Sequence, residues 1–153
     1  MSIDQRLSEL GIELPQAAAP VAAYVPAVEL GGLLHISGQI SFAEDGSRIV
    51  GRLGENMDLD EGIAAARRCG VMLLVQMKAA LGSLDRVERV VKLGVFVNSA
   101  PSFVDQPKVA NGASELMQDV FGEAGRHARS AVGVAVLPLG VAVEVDAIVA
   151  VRA

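Results

Sequence analysis

Apolar residues recur along the chain in two rhythms, and each predicts a different kind of element. From Leu59 to Leu81, Ile63, Ala66, Gly70, Leu73, Leu74, Met77 and Leu81 keep three- and four-residue spacing, which places them on one face of a helix. Asp58 and Glu61 have capping-box spacing before this run, and Gly82 follows it. A second helix is expected from Pro107 to Phe121, with Val109, Ala113, Leu116 and Val120 as its buried stripe and Gly122 as its stop. A short helix over Ser2–Leu10 opens on a Ser2/Gln5 capping box, carries Ile3, Leu7 and Leu10 on one face and stops at Gly11. The segment IELPQAAAP then reads as an extended connector with two prolines.

Elsewhere the pattern is that of strands. VAAYVPAVEL from Val21 and LLHISGQISF after Gly31-Gly32 read as two strands around a tight glycine turn. Asp45-Gly46 marks a further turn, with a short strand expected near Arg48–Val50, and Arg86–Asn98 is a Val-rich strand. Arg129–Leu137 and Val141–Arg152 read as paired strands around Pro138-Leu139-Gly140. The order predicts an α+β fold: a single mixed sheet with two helices packed on one face, plus the short N-terminal helix. The last strands are apolar at nearly every position, which suggests burial on both faces, one against the helices and the other against a second subunit.

Composition bounds this picture. The 153 residues fit one domain over 1–153, of which 1–19 are the N-terminal helix and connector. Apolar residues make up 52% and charged residues 20%, so a packed core is expected, and with aromatics at 3% it must be aliphatic. The net charge of −5 opposes a phosphate-binding surface, so a nucleic-acid partner is not expected. The single cysteine, Cys69, sits in a helical apolar pattern and reads as a small core residue. The start has no apolar leader region, and no charge-free apolar stretch reaches the roughly 18 residues of a membrane span. A cytoplasmic, membrane-free protein is therefore expected.

The motifs carry more. ISGQI at Ile36–Ile40, FVN at Phe96–Asn98 and above all ARSAVGVAVLPLGVAVEVDAIV at Ala128–Val149 resemble the RidA/YjgF family. The resemblance runs from about Pro20 to Arg152. The N-terminal helix and the fuller RHARSAVGV motif resemble a longer branch of the family that carries an endoribonuclease-like label. The resemblance implies a chorismate-mutase-like α+β fold, a homotrimer, and ligand sites in clefts between subunits. It also implies hydrolysis of reactive enamines and imines, such as 2-aminoacrylate, to a keto acid and ammonia, without metal or cofactor.

Residue by residue, Arg129 stands where the family has its carboxylate-binding arginine, and its planar fork suits a carboxylate. Its structural alternative is an ion pair with Glu144 or Asp146 across the terminal hairpin. Glu144 stands where the family has its water-positioning glutamate; imine hydrolysis needs a group to manage the proton of the attacking water. Ser37 and Gly38 offer a hydroxyl and an unhindered backbone for the other end of a substrate. Tyr24, the only tyrosine, matches a cleft position, and Asn111 matches a helix asparagine of the family, although a helix-surface role fits it equally. Two positions depart from the family pattern. Ala131 replaces a common cysteine, leaving only a backbone carbonyl to hold a water. His127 replaces a common proline, so that Arg126, His127 and Arg129 cluster as an enlarged anion site, unless His127 is simply solvated. Two functions compete: deaminating hydrolysis of a small imine or enamine acid, and non-catalytic binding of a small carboxylate or phosphorylated metabolite. Ribonuclease activity ranks last, because His35 and His127 are the only histidines and His35 sits within a strand.

Overall fold

The computed structural model describes residues 1–19 and 22–153. Helix α1 (Ile3–Glu9) starts on the expected capping box, with the Gln5 N–H donating to Ser2 Oγ at 3.1 Å and the Ser2 N–H to Gln5 Oε1 at 2.9 Å. Strands β1 (Ala27–Leu30) and β2 (Leu33–Ile40) are joined by Gly31 and Gly32, whose φ values of 63° and 78° are the left-handed pair that a two-residue hairpin turn requires. Helix α2 (Leu59–Leu81) runs between the Asp58 capping box and Gly82. Strand β3 (Val87–Asn98), helix α3 (Gln106–Phe121), strand β4 (Ala128–Val134) and strand β5 (Val143–Val151) complete the chain. The fold is α+β, as expected, with a mixed five-stranded sheet.

Sheet order corrects the expected pairing of the last two strands. The strands lie in the order β1-β2-β5-β3-β4, so β4 and β5 do not pair. β4 runs parallel to β3 at the sheet edge, and β5 is antiparallel to both β2 and β3. The linker of residues 135–142 steps over the end of β3, where the Asn98 N–H donates to the Ala142 carbonyl at 2.9 Å and Asn98 Nδ2 donates to the Val141 carbonyl at 3.1 Å. β3-α3-β4 is a strand–helix–strand crossover, the connection parallel strands need. The apolar wealth of β5 reflects its central place, and β4, at the sheet edge, is largely exposed within the single chain. The short strand at Arg48–Val50 reduces to two isolated bridges, Phe42–Arg48 and Val50–Val141. Of the strand expected from Val21, Val21 lies outside the described residues and the ladder begins only at Ala27, since Pro26 has no N–H to offer.

The helices pack on one face of the sheet. Leu73, Leu74 and Met77 of α2 and Leu116 and Met117 of α3 are fully buried, with Leu93, Val95 and Val97 of β3 and alternate residues of β5 beneath them. The helices approach closely through glycine. A Cβ at Gly112 would strike the Ile63 carbonyl oxygen of α2, and one at Gly70 would meet the tip of Leu116 at 2.8 Å. Backbone cannot yield as a leucine methyl can. Gly112→Ala should therefore destabilise the protein by about 2–3 kcal/mol in urea unfolding, and Gly70→Ala by clearly less. Equal effects at the two positions would refute this account of the helix contact.

Candidate functional site

Arg129 occupies the second position of β4, in register with buried Leu93, so its side chain leaves the sheet on the helix side. There α3 meets it. Arg129 Nη1 donates to Asn111 Oδ1 at 2.8 Å and to Ser114 Oγ at 3.1 Å. Both hydrogens of Nη1 are thus engaged, and the Nε–Nη2 edge has no partner among the described residues, nor does any carboxylate there lie within 4.0 Å. The ion pair with Glu144 or Asp146 does not form, because these acids project from the opposite face and β3 separates their strand from β4. A guanidinium anchored through one nitrogen, with its side edge open, can grip a carboxylate in two parallel hydrogen bonds.

His127 completes this half of the site. Its Nδ1 lies 2.6 Å from the Gly125 carbonyl oxygen, which can only accept, so Nδ1 carries the proton. Burial lowers the pKa of His127, with a smaller contribution of the same sign from the Arg129 charge, although the Gly125 hydrogen bond acts the other way. In the neutral ring Nε2 is therefore an acceptor, and Ser114 Oγ at 2.9 Å donates to it. Ser114 is buried at 7% exposure and links the two side chains. Asn111, Ser114, Gln118, Arg126, His127 and Arg129 line a pocket of about 210 Å³ with no carboxylate in its wall. Sequence reasoning passed over Ser114. Its signal was the polar series Asn111, Ser114, Gln118, which keeps helical spacing beside the buried stripe of α3. Ala131 shares the face of Arg129, two residues on, and its methyl packs on the core.

The remaining residues form a second group. β2 carries a bulge between Ile36 and Gln39, and this holds Ser37 and Gly38. A Cβ at Gly38 would sit 2.8 Å from Glu144 Oε2, so a larger residue there would push that carboxylate from its place. The Ser37 hydroxyl donates to the Val25 carbonyl at 2.8 Å, which leaves its lone pairs as what it can offer a substrate. Tyr24, next to Val25, is 64% exposed. Glu144 and Asp146 project from the sheet face away from the helices, and Gly94 clears space for Asp146 as Gly38 does for Glu144. Burial raises the Glu144 pKa, and the Asp146 charge adds to the rise. Within one chain, then, Arg129, Asn111, His127 and Ala131 come together on the helix side of the sheet, Gly38 lies against Glu144 on the other, and Ser37 and Tyr24 adjoin this second pair only along the chain. Cys69 is fully buried, its Sγ 3.3 Å from the Val143 carbonyl oxygen, and burial foremost pushes its thiol pKa up, so it remains an unreactive core residue. Among the described residues no three His, Cys, Asp or Glu side chains converge as a metal site would need, and no helix is long and apolar enough to cross a membrane.

The sequence matches the family described as "YjgF/chorismate mutase-like, putative endoribonuclease" over residues 4–149, and the chain belongs to this family. It is 59% identical over 144 residues to Protein TCP17 of Trypanosoma cruzi, covering 94% of this chain and 90% of that one. It is 30% identical over 143 residues to a 2-iminobutanoate/2-iminopropanoate deaminase of Dermatophagoides farinae, covering 92% and 95%. A crystal structure of an Agrobacterium tumefaciens protein of unknown function superposes with a TM-score of 0.90 at 46% identity, covering 99% of this chain and 94% of that one. The α+β fold is therefore that of the YjgF/chorismate mutase-like family.

The raised pKa of Glu144 gives a stability test with a definite sign. The folded state disfavours the ionised form, so the penalty is absent below the ordinary carboxylate range, grows as pH rises from the ordinary pKa to the folded one, and is complete above the folded pKa. Glu144→Gln should raise Tm by about 1–2 °C near pH 8, and the gain should vanish near pH 4. A lower Tm at pH 8 would mean that the charge is stabilising.

Proposed function

We propose that the protein hydrolyses a small reactive imine or enamine carboxylic acid to a keto acid and ammonia, in a cleft between copies of the chain. The observation that carries this reading is the open Nε–Nη2 edge of Arg129, held in place from its other side by Asn111 and Ser114. That edge takes the substrate carboxylate. Family membership and the deaminase among the relatives supply the reaction class. Water adds to the imine carbon, the C–N bond of the resulting carbinolamine breaks, and ammonia leaves. A carboxylate with a raised pKa suits the proton transfers between water and nitrogen, which assigns them to Glu144. The Ala131 carbonyl helps to hold the water, and Gly38 and Tyr24 line the cleft.

Because Arg129 and Glu144 lie on opposite faces, one copy supplies the arginine and its neighbour the glutamate. Exposed Val28, Leu30 and Val132 on the helix-free face favour such an assembly, which we take to be a homotrimer. The second reading, anion binding without turnover, draws on the alanine at 131 where a thiol is common in the family.

The test generates 2-aminoacrylate in situ and follows keto-acid release. Acceleration over the free reaction is expected, with a loss on the order of 100-fold in Arg129→Ala and no recovery in Arg129→Lys, which lacks the fork. No acceleration by wild type, with pyruvate binding retained, would leave the binding reading standing.

A further inference from the structure

We infer that Ser114 and His127 are positioning residues for Arg129, and that proton uptake by His127 tightens anion binding at the guanidinium. The inference rests on Arg129 being the anion ligand.

The hydrogen-bond directions carry the argument. The Gly125 carbonyl fixes the proton on Nδ1, so neutral His127 can only accept at Nε2. Ser114 must then point its hydrogen at the ring and offer lone pairs to Arg129 Nη1. This orients the arginine so that its opposite edge is the open one. When Nε2 gains a proton, it donates to Ser114 Oγ instead. That oxygen still accepts from Arg129, and its own hydrogen turns elsewhere, as helical serines do toward a backbone carbonyl one turn back. The arginine keeps its anchor while a second positive charge arrives two hydrogen bonds away, in a pocket wall that contains no carboxylate.

The charged groups on the surrounding elements do not cancel this. They are Arg126 and Glu123 in the preceding turn, Arg129 two residues on in β4, Glu88, Arg89 and Lys92 of β3, and Lys108, Glu115 and Asp119 of α3. Glu123 lies 3.7 Å from Arg126 and Asp119 lies 3.6 Å from Arg67. Arg129 is the charge that bears on the imidazole, and it opposes protonation, as burial does. An anion bound at Arg129 neutralises that opposition. Proton and anion therefore help each other to bind, by equal factors in both directions.

The experiment uses pyruvate as the probe and the full-length protein. Pyruvate affinity of wild type should rise at least about fivefold between pH 7.5 and pH 5.5. His127→Gln, an uncharged side chain that can still hydrogen-bond Ser114, should lose this rise, its affinity at pH 5.5 matching its own affinity at pH 7.5. Ser114→Ala should bind more weakly at both pH values. Imidazole titration by NMR gives a second readout: pyruvate should raise the midpoint of His127. A His127→Gln protein that keeps the wild-type rise, or a His127 midpoint indifferent to pyruvate, would overturn the inference. Unchanged binding by Arg129→Ala would instead overturn the reading of Arg129 on which it rests.

Discussion

The close contact between α2 and α3 fixes the rest of the site. Gly112 brings the backbone of α3 against the Ile63 carbonyl of α2, and any side chain there would force the helices apart. Gly112 stands between Asn111 and Ser114, the two residues that hold Arg129. The same turn of helix that packs most tightly on its neighbour thus presents the anchors of the guanidinium. The placement of the guanidinium is inherited from core packing, and a shift of α3 of a few tenths of an ångström reaches the arginine directly.

Two glycines play the matching part on the other side of the sheet. Gly38 and Gly94 leave gaps in which Glu144 and Asp146 lie against neighbouring strands. Half-buried there, both carboxyls have raised pKa values, with burial the main cause in each case. The chain therefore carries a basic, anion-attracting group on the helix side and a pair of reluctant acids on the bare side. One copy brings the two chemistries no closer than about 10 Å of strand spacing plus the thickness of the sheet.

Much of the fold was legible in the sequence, for identifiable reasons. The Ser2/Gln5 and Asp58/Glu61 capping boxes mark helix starts because they satisfy specific backbone N–H groups, and both were read correctly. Gly31-Gly32 marked its hairpin because few other residues accept two successive positive φ angles. The neighbours of β5 were not legible. Val-rich strands record burial, not partners, and a Pro-Leu-Gly turn between two of them looks like a hairpin whether or not a third strand intervenes. The site divided in the same way. Arg129, Asn111 and His127 stood out by type and motif, and the structure brings them together. Ser114 looked like one more helix residue, and its role follows only from where α3 meets β4.

The strand order has a consequence for how the chain is assembled. β2 and β3 form no ladder with each other; β5 joins them, and it follows both in the chain. During vectorial synthesis the β1–β2 hairpin and the β3-α3-β4 unit can each form early, but they remain two separate pieces with an open slot between them. Placing β5 in that slot closes contacts of long sequence separation, the kind that slows folding. Until then the inner edges of β2 and β3 are unpaired, and the nascent chain is most exposed to wrong partners just before its sheet is complete.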